Sequence, residues 1–184
     1  MIFIWIPKTG GTTFASMRPG MAVITEDYRN NRNDDQDVSY GHACPKLLIR
    51  NGIIDTDVWN SQQKIALVRN PFTRFLSLYH DYKRTGRITH GMTQQQFIRA
   101  IIEMDPKPGF FNSYQLSMCA PQVEWLLPGV NILRFEDEVM DRPHKLNAGN
   151  YDDGLDRRAV DDILYFYGAD FVTLNYDERY DNVQ

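Results

Sequence analysis

Residues 2–6, Ile2-Phe3-Ile4-Trp5-Ile6, are an unbroken apolar run too short for a helix and read as a buried strand. Gly10-Gly11 break the run, and Thr12 to Met17 look like the first turns of a helix. A second strand is expected at Met21–Thr25, followed by a polar loop over 26–40 rich in Asn and Asp, then a short helix within 43–51. Ile65-Ala66-Leu67-Val68 is the clearest strand after the first. Asn70-Pro71 behind it supply a capping side chain and a proline at the first helical position, so a helix runs from there towards Arg84. Another helix spans Thr93 to Met104, with Phe97, Ile98, Ile101 and Ile102 on its apolar side and Pro106 and Pro108 as stops. Val130–Leu133 reads as a third core strand, and the apolar stripe from Leu155 to Tyr167 as a closing helix. Apolar strands separated by helices predict an α/β fold on a parallel sheet covered on both faces.

A length of 184 residues fits one domain, 1–184, with enough chain for a substantial core. An apolar fraction of 42% and a charged fraction of 24% exclude wholesale disorder and a coiled coil. No stretch approaches a membrane span, and Met1 leads directly into apolar residues without the basic lead-in of a signal peptide. Two cysteines, Cys44 and Cys119, exclude a disulfide scaffold and a Cys-x-x-Cys clip, so the expected setting is reducing and cytoplasmic. Charge is uneven: residues 1–134 hold 15 Lys+Arg against 11 Asp+Glu, and residues 135–184 hold 5 against 13. That balance argues against nucleic acid as a partner and for a compact anionic ligand held by the first two thirds.

In such sheets ligands lie at the carboxyl ends of the strands. The first candidate site there is Pro7-Lys8-Thr9-Gly10-Gly11-Thr12-Thr13. A strand ends, two glycines permit a tight turn, and a helix starts whose N–H groups and dipole favour an anion. Lys8 adds a point charge, and Thr12 and Thr13 add hydroxyls. It is not a Walker A loop, because the lysine precedes the glycines. The same residues would also serve an ordinary strand–turn–helix. The second site is Arg69 to Ser77. Arg69 ends a buried strand, where a bound anion or a salt bridge must satisfy its guanidinium, and Ser77 follows about two helical turns later. Two anion sites on neighbouring strand ends suggest a ligand with two separated phosphate-like groups. Glu136 and Asp137 follow the later strand, so a metal there is not excluded, only unsupported.

These segments resemble the sulfotransferases that use 3′-phosphoadenosine-5′-phosphosulfate (PAPS). Pro7–Thr13 looks like their 5′-phosphosulfate loop, Val68–Tyr79 is similar to their 3′-phosphate segment, and Ile132–Asp137 resembles a later strand with its acidic pair. Tyr167-Gly168-Ala169-Asp170-Phe171 resembles a helix ending of the carbohydrate (heparan-type) branch. The resemblance implies a three-layer P-loop-like fold with a central parallel sheet flanked by helices. It implies PAPS as donor, adenosine 3′,5′-bisphosphate (PAP) as product, no required metal, and an acceptor hydroxyl, carried by carbohydrate in that branch. It also implies roles: Lys8 on the bridging oxygen, Thr9, Gly10, Gly11, Thr12 and Thr13 on the 5′-phosphosulfate, and Arg69 and Ser77 on the 3′-phosphate.

The acceptor needs a base, and His42 in Tyr40-Gly41-His42 is the candidate, against a merely structural histidine and against Glu26 as rival. His80 is expected to face out of its helix, and His90 and His144 fall in loop-like stretches. Phe110–Gln115 could line the acceptor cleft or pack under a loop, whereas Tyr165-Phe166-Tyr167 reads as core. The Gly-rich basic loop that the cytosolic branch uses for the 3′-phosphate is not evident, which leaves Arg74 and Arg134 as helpers. The competing readings are a nucleotide kinase or NTPase with a variant P-loop, and a nucleotide-binding module without catalysis.

Overall fold

Four strands, β1 (Ile2–Ile4), β2 (Ala22–Val23), β3 (Lys64–Val68) and β4 (Val130–Arg134), form one parallel sheet in the order β2-β1-β3-β4. The computed structural model describes residues 1–18, 22–23, 42, 44–50, 52, 54–106, 118–140 and 154–180. The expected loop at 26–40 and the segment Phe110–Gln115 lie outside the described residues.

Between β1 and β2 lies α1 (Gly11–Ser16); α2 (Pro45–Arg50) and α3 (Thr56–Ser61) precede β3. After β3 come α4 (Pro71–Arg84), α5 (Gln94–Met104) and a 3-10 turn (Gln122–Trp125), and after β4 come α6 (Phe135–Glu138) and α7 (Arg157–Leu174). The parallel α/β expectation therefore holds. Asn70 caps α4 by accepting from the Phe72 and Thr73 amides, with Pro71 in its first turn. Thr93 and Gln96 form a capping box on α5.

Alternation along the strands sends side chains to two cores. Ile2, Ile4, Ala66 and Val68 pack with Leu48, Trp59 and Trp125. Phe3, Ile65 and Leu67 pack with Phe14 and Val139 on the other side. A third cluster joins α4, α5 and α7 through residues such as Phe75, Ile98, Ile163 and Phe171.

Three elements depart from the sequence pattern. The first strand stops at Ile4, because the chain turns at Trp5 towards the Lys8 bend. β4 is an edge strand with Ile132 41% exposed, so its apolar run does not mark a core strand. The closing helix continues past Gly168 to Leu174, with only a local departure from helical geometry at Tyr167. A helical glycine costs about 1 kcal/mol relative to alanine. Burial of Phe171 and the hydrogen bonds of Asp170 outweigh that cost.

The strand order has a functional consequence. From β1 the chain crosses to β2 on one side, then returns to β3 on the other. The carboxyl ends of β1 and β3 therefore flank a topological switch point, the place where open α/β sheets form a ligand crevice.

Candidate functional site

The Lys8 turn leaves β1 and the Arg69 corner leaves β3, and these strands are hydrogen-bonded neighbours with Ile4 opposite Ala66. The two candidate anion sites thus emerge side by side. Arg69 is close enough that its charge lowers the Lys8 pKa.

Backbone geometry shapes the turn. Lys8 has φ 64°, in the left-handed region, which costs a non-glycine residue about 1–3 kcal/mol and is concentrated at functional sites. Gly10 has φ 84° and precedes α1 as its N-cap, without a side-chain hydrogen bond to the helix. Gly11 has no room for a side chain, because a Cβ there would fall inside the Trp5 indole. Buried Thr9 donates its hydroxyl proton to the Ile6 carbonyl at 2.9 Å, which tightens the bend. Thr13 is buried, and Thr12 is exposed at the rim.

Lys8 is half-buried, and its ammonium meets Asp81 Oδ1 of α4 at 3.4 Å. The same carboxylate accepts from Arg84 at 2.6 Å and lies 3.6 Å from Arg87. Burial pulls the Lys8 pKa below the ordinary lysine value; Asp81 opposes this, while Arg84 and Arg69 add to it. Burial alone would raise the Asp81 carboxyl, but Lys8 and Arg84 outweigh it and hold the group low. Sequence reasoning missed Asp81. The signal for it was an acidic residue one helical turn beyond Ser77 in an otherwise basic segment.

Arg69 is oriented by its own helix. Its Nε donates to Thr73 Oγ1 at 2.9 Å, and its guanidinium lies 4.4 Å from the Phe135 ring centre. Its main chain is clamped by Gln122, whose amide accepts from Arg69 N–H at 2.9 Å and donates to Arg69 C=O at 2.8 Å. The next amide, Asn70 N–H, donates to Glu136 Oε1 at 2.8 Å, and Glu136 Oε2 accepts from the Tyr176 hydroxyl at 2.9 Å. Glu136 thus works as a brace for the β3–α4 corner. Ser77 is buried on α4, two turns beyond that corner.

The two arginines named as helpers are occupied otherwise. Arg74, fully buried, donates through Nε to Pro7 C=O at 3.0 Å and through one terminal nitrogen to Met118 C=O and Ala120 C=O at 2.9 and 3.0 Å. Arg134 donates to Leu174 C=O and Asn175 C=O, both at 3.0 Å, and so closes the C-terminus of α7. Both serve main-chain carbonyls, which is how the fold satisfies two partly or wholly buried guanidinium groups.

His42 is half-buried, with Nδ1 3.0 Å from Trp5 C=O and its ring edge-on to the Trp5 indole. A carbonyl oxygen only accepts, so Nδ1 carries a proton, and in the neutral ring the lone pair then sits on Nε2. The His42 carbonyl accepts from Trp125 Nε1–H at 2.8 Å. His42 therefore ties to Trp5, just after β1 and three residues before Lys8. His80 is half-buried with its ring against Tyr79, not turned out to solvent as expected, because α4 is covered on most of its circumference. Glu26 and His144 lie outside the described residues, and His90 is exposed.

Among the described residues no group of three or more His, Cys, Asp or Glu is arranged to hold a metal, and no helix is long and apolar enough to cross a membrane. Cys44 and Cys119 are buried thiols.

A family model described as the sulfotransferase family matches residues 1–128, a stretch that includes Lys8, His42, Arg69 and Ser77. No curated protein and no solved structure matches the chain.

Proposed function

The chain belongs to the sulfotransferase family, and from that premise we propose that it transfers a sulfuryl group from PAPS to an acceptor hydroxyl, carried by carbohydrate, leaving PAP. The observation that carries the reading is the pairing of the Lys8 turn and the Arg69 corner on adjacent strand ends at the switch point of the sheet. In this reading residues 1–184 form one domain of three-layer, P-loop-like organisation that works in a reducing, cytoplasmic setting.

The chain's own groups fit such a donor. Gly11 lets the main chain pack directly against the Trp5 indole and so holds the bend tight, and α1 starts without a capping side chain, so its first N–H groups suit an anion. When bound, the donor supplies an activated sulfuryl group on a phosphate leaving group. In this reading Thr9, Gly10, Gly11, Thr12 and Thr13 hold the 5′-phosphosulfate, and Arg69 with Ser77 holds the 3′-phosphate. Lys8 in this reading would offer its ammonium to the bridging oxygen, where negative charge would grow and a preorganised cation is most effective. His42, with its lone pair on Nε2, takes the acceptor proton. No step calls on a metal.

Thermal unfolding with and without ligand tests the donor. PAP at about a hundred times its Kd should stabilise the protein by about 2.7 kcal/mol. Stabilisation by ATP with Mg²⁺ but not by PAP would point to a kinase or NTPase instead. Transfer from PAPS to a panel of glycans, with mass detection of an added sulfate, then separates an enzyme from a binding module.

A further inference from the structure

We propose that Asp170 is a positioning residue for both halves of the site, acting through the 3-10 turn Gln122–Trp125. This rests on the sulfotransferase reading given above, but Asp170 lies outside the part of the chain that the family model matches.

Asp170 is fully buried on α7 and is placed over the N-terminus of that turn. Its Oδ2 accepts from Gln122 N–H at 2.8 Å and from Gln122 Nε2 at 3.4 Å, and its Oδ1 accepts from Val123 N–H at 2.9 Å. A buried carboxylate that gathers several N–H donors fixes the segment that supplies them. The turn then reaches two different parts of the site. At its start, the Gln122 amide clamps both main-chain groups of Arg69. At its end, Trp125 Nε1–H holds the His42 carbonyl. One carboxylate therefore sets the register of the arginine proposed for the donor and of the histidine proposed as base.

Neighbouring contacts brace the same segment. The Tyr167 hydroxyl, also on α7, donates to Cys119 C=O at 2.7 Å. Arg74 ties Met118 and Ala120 to Pro7 at the entrance of the Lys8 turn. Phe171 packs against Phe72 with the ring centres 4.8 Å apart and the rings tilted by 58°, and fixes α7 on the first turn of α4. The segment 118–125 is thus the common support of all three site pieces, and α7 holds it. The apolar stripe of α7 accounts for its packing but not for a buried acid that faces the turn.

Three variants separate positioning from bulk stability. Asp170→Asn keeps one acceptor oxygen and should weaken PAP binding and lower kcat together, each by about tenfold, below the roughly hundredfold that a full 1 Å misplacement of a catalytic group can cost. Gln122→Met breaks the Arg69 clamp and the 3.4 Å side-chain contact to Asp170 but keeps the two main-chain N–H donors on that carboxylate, so PAP affinity should fall while kcat at saturating donor stays within about threefold. Trp125→Phe removes the N–H to His42 together with part of a buried ring, so kcat should fall while PAP affinity holds, and urea unfolding reads the packing loss separately. Amide hydrogen exchange of the ligand-free protein reads the same clamp without activity. Protection at Arg69, Gln122 and Val123 should drop about tenfold in Asp170→Asn, with β1 and α5 unchanged. Folded Asp170→Asn protein with PAP affinity, kcat and exchange all near wild type would overturn the inference. So would loss of protection spread evenly over the whole chain, including any failure to fold. If the wild type bound no PAP and transferred no sulfate, the proposed function would fall, and the exchange pattern would still decide the role of Asp170.

Discussion

Lys8 and Asp81 form an ion pair of 3.4 Å that joins the turn after β1 to the middle of α4. The pair sits in a field that is otherwise positive, with Arg84 and Arg87 on the same carboxylate and Arg69 near the ammonium. Among the described residues Asp81 is therefore the negative group that offsets the burial of Lys8 and favours its charged form.

Asp81→Asn should move the alkaline limb of kcat/KM to lower pH. The required form of Lys8 is protonated, so activity is present below its pKa and lost above it. Burial already lowers that pKa, and removing Asp81 removes the influence that raises it. In the folded protein Lys8 releases its proton below the ordinary value of 10.5, so over that interval the unfolded chain binds more protons and stability rises with pH. Lys8→Ala should nearly abolish transfer and the limb with it. A pH–rate profile of both variants checks this, and an unmoved limb in Asp81→Asn would detach the two residues.

Arg69→Ala and His42→Ala should fail in different parameters. Loss of a charge-assisted contact of about 1.5–3 kcal/mol should weaken PAP binding roughly tenfold to a hundredfold in Arg69→Ala. Arg69→Lys should not rescue it, because lysine lacks the Nε that bonds Thr73. His42→Ala should lower kcat about a hundredfold or more with PAP affinity retained, as expected for a lost general base. Titration calorimetry with PAP and steady-state rates separate the two, and an unchanged rate in His42→Ala at neutral pH would move the base role to Glu26 or elsewhere.

Gly11→Ala should destabilise the fold as well as the site. Its methyl would collide with the rigid Trp5 indole, and overpacking of this kind costs about 1–3 kcal/mol. Gly10→Ala adds the strain of φ 84° and a contact of 2.7 Å with Phe135 Cε2. Urea unfolding of each variant measures the loss, and wild-type stability with normal PAP binding in Gly11→Ala would contradict the tight bend.

Arg74→Met should be among the most damaging single changes. It leaves the carbonyls of Pro7, Met118 and Ala120 without their donor in a buried site. Each unsatisfied buried acceptor costs about 1–3 kcal/mol, so a loss of about 3 kcal/mol or more is expected by chemical denaturation. A surface arginine such as Arg158 is the control, and its alanine variant should shift stability by less than about 0.5 kcal/mol.

Local sequence determined the pieces that depend on local physics. Apolar runs gave β1 and β3, Asn70-Pro71 the start of α4, Thr93 with Gln96 the start of α5, and Gly10-Gly11 the bend that carries Lys8. These follow from dihedral preference, capping and periodicity, which act within a few residues. Tertiary structure alone decided that β1 and β3 are neighbours, that Asp81 meets Lys8, that Arg74 turns inward to three carbonyls, and that Asp170 reaches Gln122 across 48 positions of chain. It also made β4 an edge strand and extended α7 beyond Gly168. Such partners are chosen by burial, because a polar group removed from water takes whichever donor or acceptor the packed chain brings to it, however distant in sequence.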